Sequence, residues 1–112
     1  NACTARQLAS LLAYAHAQPT GALLHESLAT AGVEGSLRKR LKNSDGRVHA
    51  KTGTMNGVRT LAGYIDGDSG PRYAFAVMFN GYPGPSTPYK EIQDRVCRVL
   101  AVACDSETGG SR

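Results

Sequence analysis

Tyr73-Ala74-Phe75-Ala76-Val77-Met78-Phe79 is apolar on both of its alternating faces. Successive side chains of a strand point to opposite sides, so a strand of this kind needs cover on both. The run therefore predicts a sheet sandwiched between helical layers, of which this chain supplies part. Working outward, residues 72–80 read as one strand, residues 58–65 as a second and residues 48–54 as a third. Asp66-Gly67-Asp68-Ser69-Gly70, rich in turn formers, reads as the hairpin loop between the later two. Asn43-Ser44-Asp45-Gly46 reads as a turn before the first.

Helical signals flank these strands. Thr4 followed three residues later by Gln7 has the form of a capping box, and Leu8, Leu11, Leu12 and Ala15 recur at helical spacing. A helix over residues 5–17 follows, stopped by Pro19 and Gly21. A second helix fits residues 22–30, with Leu23, Leu24 and Leu28 inward and Gly32 beyond its end. Ser36 is placed to cap a short turn carrying Leu37 and Leu41. After the break at Gly81-Tyr82-Pro83-Gly84-Pro85, Thr87 reads as an N-cap with Pro88 at the first helical position. Ile92, Val96, Val99, Leu100 and Ala103 form the apolar stripe of that last helix. The order is helices, three antiparallel strands and a helix, an α+β arrangement. Residues 1–105 read as part of one domain, and the polar, Gly-containing residues 106–112 as a flexible tail.

At 112 residues, 41% hydrophobic and 20% charged, the chain suits one small globular domain or a piece of a larger one. No apolar run is long enough to cross a bilayer, and no secretory signal pattern opens the chain. Asn1-Ala2-Cys3-Thr4 reads as the middle of a protein rather than a natural start. The net charge of +4 is most concentrated at Arg38-Lys39-Arg40, with Lys42 and Arg47 nearby. No aromatic-interleaved basic motif accompanies that patch, so it reads as a solvated helix end and loop, without a nucleic-acid partner. Cys3, Cys97 and Cys104 fit no zinc spacing. Cys97 and Cys104 share a helix face about 10 Å apart in rise, too far for a disulfide. Cys3 pairs with either only if the fold brings the ends together; the preferred reading is three small buried hydrophobes.

Lys51-Thr52-Gly53-Thr54 sets a cation, two hydroxyls and a backbone unit without a side chain on consecutive residues of the first strand. That is equipment for gripping an anionic acyl substrate. The motif stands within Gly46-Arg47-Val48-His49-Ala50-Lys51-Thr52-Gly53-Thr54 and is one of four ordered blocks. The others are Leu28-Ala29-Thr30-Ala31-Gly32-Val33-Glu34-Gly35-Ser36-Leu37, Gly57-Val58-Arg59-Thr60-Leu61-Ala62-Gly63-Tyr64-Ile65, and Tyr73-Ala74-Phe75-Ala76-Val77 with Asn80-Gly81. Together they resemble the C-terminal part of the D-alanyl-D-alanine carboxypeptidase/endopeptidase family, the low-molecular-mass class C penicillin-binding proteins. The resemblance implies the C-terminal portion of a penicillin-recognising, β-lactamase-like serine transpeptidase fold. The resemblance places the family's Ser-x-x-Lys nucleophile and Ser-x-Asn element upstream of the region matched here; Ser36-Leu37-Arg38-Lys39 has the first spacing but lies inside the matched region, and no Ser-x-Asn is present. The chain is therefore expected to be a fragment, inactive alone, whose partners include the missing N-terminal portion of the same enzyme.

Acyl transfer needs a nucleophile, its base, an oxyanion hole and a grip on the substrate carboxylate. The resemblance assigns part of the last two to this chain. Lys51 is implied as the catalytic motif cation. Thr52 and Thr54 are implied to bind the carboxylate through their hydroxyls, and the Thr54 N–H to be half of the oxyanion hole. Gly53 is implied as a point of close substrate approach, with a plain bulge glycine as the alternative. His49, two residues before Lys51, shares its face and either lines the cleft edge as a substrate-binding residue or is a partly exposed strand residue. Arg59 and Tyr82 are placed to touch substrate near the strand ends, although Arg59 also reads as a surface residue. Gly57 and Gly63 read as structural. His16 and His25 have no carboxylate or cysteine at ligand spacing, so metal binding is not expected, and the resemblance implies no organic cofactor. The implied partners are D-Ala-D-Ala peptides of peptidoglycan and β-lactam antibiotics, and the implied compartment is periplasmic or extracytoplasmic. The alternatives are a β-lactamase or esterase relative and a non-catalytic binding fragment.

Overall fold

The computed structural model describes residues 3–42, 46–55, 57–67, 70–81 and 83–110. Helix α1 (Ala5–His16) opens with the expected capping box: the Thr4 hydroxyl accepts from the Gln7 N–H, and the Thr4 N–H donates to the Gln7 amide oxygen. Helix α2 spans Gly21–Ser27 and stops three residues before the sequence suggested. Leu28 is extended, and Ala29–Thr30 form a short strand, β1, not a last helical turn. The cause is tertiary. The neighbouring strand offers main-chain hydrogen bonds, among them Ala31 N–H to Val48 O at 2.8 Å, which outweigh local helix preference.

Three long strands follow, β2 (Val48–Met55), β3 (Val58–Gly67) and β4 (Gly70–Asn80). With β1 they make a four-stranded antiparallel sheet in the order β1-β2-β3-β4, one strand more than the sequence suggested. Gly57 lies in the β2–β3 turn at φ +70°, and its carbonyl accepts from the Gly81 N–H. Asp66 and Gly67, read as loop, belong to β3, with Asp66 opposite Pro71 across a register shift after Ile65. Residues 68–69 of that loop and residues 43–45 of the preceding turn lie outside the described residues. Helix α3 spans Thr87–Gly110, so residues 106–110, read as tail, have helical backbone. The Ser86 carbonyl accepts from the Tyr89 and Lys90 N–H groups, which puts the cap one residue before Thr87. Among the described residues no helix is long and apolar enough to cross a membrane.

The register sorts residues onto two faces. Leu61, Gly63 and Ile65 pair with Val77, Phe75 and Tyr73, and Val48 and Ala50 pair with Ile65 and Gly63. This set packs beneath α3 with Cys97, Leu100 and Ala101, and Ala31, Leu37 and Leu41 close its edge. The buried line of α3 is Gln93, Cys97 and Cys104, not the more hydrophobic stripe. Ile92 and Val99 are exposed, and with Arg95, Val96 and Leu100 they line an outward hollow of about 340 Å³. The helix is rotated because Gln93 finds acceptors on the sheet: its amide donates to Arg59 O at 3.4 Å and Val77 O at 3.3 Å. A buried amide satisfied in this way carries no large desolvation penalty. Arg40 leaves the basic patch and binds the Asp94 carboxylate at 2.7 Å, whereas Arg38 and Lys39 are exposed as expected.

On the opposite face the Tyr64 hydroxyl donates to Leu12 O of α1 at 2.6 Å. Leu8, Leu12 and Ala15 are half-buried there, but Leu11, Tyr14 and Leu23 are exposed. Cys97 and Cys104 are buried cysteines outside any disulfide, whereas Cys3, read as a buried hydrophobe, is exposed.

Candidate functional site

β2 carries the Lys-Thr-Gly motif, and its hydrogen-bond phase decides what the motif presents. The Asp66 N–H donates to Arg47 O at 2.8 Å, which makes 47 and 66 a bonded pair. Bonded pairs alternate in an antiparallel ladder, so 49, 51, 53 and 55 turn their peptide groups toward β3. Residues 48, 50, 52 and 54 turn theirs to the other edge. There Val48 and Ala50 meet the β1 segment, whose register ends with Ala29 opposite Ala50. Among the described residues no strand pairs with residues 51–55 on that edge. The peptide groups of Thr52 and Thr54 are thus aimed at the outer edge of β2, beyond the end of β1.

Alternation puts Lys51 and Gly53 on the face shared with His49 and Tyr64, and Thr52 on the α3 face. The motif residues do not share a face; what they share is the outer edge. Lys51 is exposed, and its Nζ donates to Thr52 O at 2.6 Å, so the ammonium folds over that edge. At Gly53 an added Cβ would meet only Thr60 Cβ, at an ordinary 3.7 Å. Among the described residues neither strain nor crowding calls for glycine there. Gly63 differs: a Cβ would overlap the His49 carbonyl and come within 2.6 Å of Ala50 Cα, so the close β2–β3 approach requires glycine. Arg59 pairs with Thr54 on the α3 side, away from Lys51, and its buried Nε has no hydrogen-bond partner. Tyr82 and the side chain of Thr54 lie outside the described residues.

His49 is not a simple edge residue. Its Nε2 lies 2.9 Å from Asp66 Oδ2 and its Nδ1 3.1 Å from Thr30 Oγ1. His25 of α2 approaches the same carboxylate, Nε2 to Oδ1, at 2.9 Å. The two imidazole centroids are 4.3 Å apart, and Tyr64 and His16 extend the ring cluster. Burial raises the Tyr64 pKa. On the α3 side, burial and the neighbouring Asp94 push the Cys97 thiol up to about 12, which keeps it an inert core residue. Sequence reasoning missed Asp66, placed in a loop, and His25, whose partners come from other elements. The available signal was the register: His49 and Asp66 are diagonal neighbours on one face once Val48 pairs with Ile65.

Residues 1–102 match the D-Ala-D-Ala carboxypeptidase 3 (S13) family. The chain is 37% identical over 108 residues to a D-alanyl-D-alanine carboxypeptidase of Actinomadura sp. (strain R39), a match covering 90% of this chain and 20% of that protein. It is 35% identical over 80 residues to penicillin-sensitive carboxypeptidase A of Dictyostelium discoideum, covering 65% of this chain and 15% of the relative. The chain thus spans about a fifth or less of these relatives. In structure it resembles penicillin binding protein 4 (dacB) from Haemophilus influenzae, with a TM-score of 0.72 and 26% identity over 88% of this chain and 24% of that one. The same protein complexed with a novel β-lactam matches with a TM-score of 0.71.

Proposed function

The chain belongs to the D-Ala-D-Ala carboxypeptidase 3 (S13) family, and on that premise we propose that it supplies the substrate-gripping strand of a serine-type D-alanyl-D-alanine carboxypeptidase/endopeptidase. The enzyme acts on peptidoglycan stem peptides through an acyl-enzyme and is blocked by β-lactams. The observation that carries this reading is that β1 ends opposite Ala50, so that the peptide groups of Thr52 and Thr54 face an outer edge of β2 with which no described strand pairs. A stem peptide adds there as an antiparallel strand. The Thr54 N–H polarises the scissile carbonyl, and the Thr52 and Thr54 hydroxyls hold the terminal carboxylate. Lys51 moves from Thr52 O to supply positive charge beside that anion and the reacting serine. Unexplained by packing among the described residues, Gly53 leaves room for the substrate backbone. His49 shares the Lys51 face but is engaged with Asp66 and Thr30, so it borders the cleft rather than binding substrate.

The nucleophile comes from polypeptide outside these residues: the Ser-x-x-Lys spacing of Ser36-Leu37-Arg38-Lys39 falls in the block just before the Lys-Thr-Gly strand, its Lys39 is exposed, and no Ser-x-Asn element accompanies it. Leu11, Tyr14 and Leu23 on one side, and Val99 and Val102 on the other, are exposed as they would be where further polypeptide covers both layers. The compartment is the extracytoplasmic one that holds peptidoglycan. Fluorescent penicillin tests the reading. The 112-residue chain remains unlabelled, whereas a natural chain extended upstream through Ser-x-x-Lys and Ser-x-Asn elements is labelled and deacylates slowly. Covalent labelling of the 112 residues alone would overturn the placement of the nucleophile, and rapid deacylation would indicate a β-lactamase.

A further inference from the structure

We propose that His25, His49 and Asp66 form a binding site for a single zinc-class divalent cation between α2 and the start of β2. The three residues come from α2, β2 and β3, and one ligand atom from each lies within 4.8 Å of the others. Their side chains are 14–20% exposed, sheltered yet reachable from solvent. Two imidazole nitrogens with one carboxylate oxygen favour zinc, copper or nickel over calcium or magnesium. With a water in the fourth position they make a recognised tetrahedral zinc donor set.

The geometry is that of a site closed on itself by hydrogen bonds. Each Nε2 stands 2.9 Å from a different oxygen of Asp66. A tetrahedral ion with bonds of about 2.1 Å needs ligand atoms about 3.4 Å apart. Small side-chain rotations that part each nitrogen from its oxygen and draw the nitrogens together are sufficient. The carboxylate is preset by its backbone: the Asp66 N–H is held by Arg47 O, and its carbonyl accepts from Arg47 Nε at 3.1 Å and Cys104 Sγ at 3.7 Å.

Thr30 makes both states of His49 possible. A threonine hydroxyl both donates and accepts. Without the cation, the hydroxyl donates to Nδ1 and the Nε2–H donates to Asp66. With the cation, the Nε2 lone pair binds the ion, the proton resides on Nδ1, and Thr30 Oγ1 accepts it at the same contact, now 3.1 Å. His25 undergoes the same change of tautomer. Neutral imidazoles release no net proton on binding, and an imidazolium releases one. The ion joins α2 to the strand bearing Lys51, about 7 Å upstream of that lysine along the strand.

The test is titration of chelator-treated protein with zinc by calorimetry and with cobalt(II) by visible absorption. One equivalent of zinc binds and raises the thermal midpoint, and cobalt(II) gives the d–d bands of a low-coordinate site. His25→Gln and Asp66→Asn each abolish both signals while the circular dichroism of the fold remains, and Thr30→Val weakens binding about 10- to 100-fold. The proposal is overturned if folded wild-type protein binds neither metal, or if both variants bind zinc as wild type does. It also falls if the variants lower the thermal midpoint while zinc leaves that of the wild type unchanged, for then the cluster is only a hydrogen-bonded tie.

Discussion

Alternate residues of β3 end in two different environments. Leu61 and Ile65 lie under α3 with Val48, Phe75 and Cys97, where nearly every contact is apolar. Tyr64 and Asp66 lie on the other face with His49, His16 and His25, where the partners are specific: a hydroxyl on Leu12 O and imidazoles on one carboxylate. The α3 face is held chiefly by area removed from water, a term indifferent to direction, with the Gln93 amide adding the directed bonds that set the rotation of the helix. The opposite face is organised by directed bonds, and its edge is where the motif lies. One strand can serve both purposes because its side-chain period is two.

The division can be broken in order of expected effect. Gly63→Ala drives a Cβ into the β2 backbone and is expected to cost about 4 kcal/mol or more, read as loss of a cooperative urea transition. A mild effect would mean that the two strands pair more loosely than the register implies. Ile65→Ala on the α3 face is expected to cost about 2–5 kcal/mol in the same measurement. Lys51→Ala should leave stability within about 0.5 kcal/mol, because its side chain is exposed. In a chain that includes the nucleophile, the same change is expected to slow acylation by fluorescent penicillin by about 10²-fold or more. Reversed outcomes, with Lys51 essential for folding and Ile65 dispensable, would undo the contrast.

The smallest effect is alkaline. The Cys97 thiol is raised from 9.0 to about 12 by burial, so between those values the unfolded chain loses a proton that the folded chain keeps. Stability from this group is intact below pH 9 and falls by up to about 1.4 kcal/mol per pH unit above it. Tyr64, raised in the same direction, adds to the fall above pH 10. Denaturant midpoints measured across that range in wild type and Cys97→Ala check the prediction: the variant should show the shallower decline.

Much of this was legible because it is local. The Thr4–Gln7 box, the Pro19 stop, the three long strands and the placement of Lys51-Thr52-Gly53-Thr54 on a strand follow from residues close in sequence. Elsewhere local signals misled. Ile92 and Val99 are more hydrophobic than Gln93 and Cys97, yet Gln93 is buried because Arg59 O and Val77 O lie where its amide reaches. Ala29 and Thr30 follow a helix but become strand because β2 has an edge to satisfy. Asp66 has loop-like neighbours and yet extends β3.

Periodicity, capping and motif order were thus determined by the sequence alone: an antiparallel sheet with helical cover, and a Lys-Thr-Gly strand of the S13 family. Only the tertiary structure decided that β1 stops opposite Ala50, so that no described strand pairs with the motif edge. Only it could bring His25, His49 and Asp66 around one point, from positions 24 and 41 residues distant from the first of them. The reason is that propensity acts between chain neighbours, whereas edges, faces and clusters exist only after distant segments have packed.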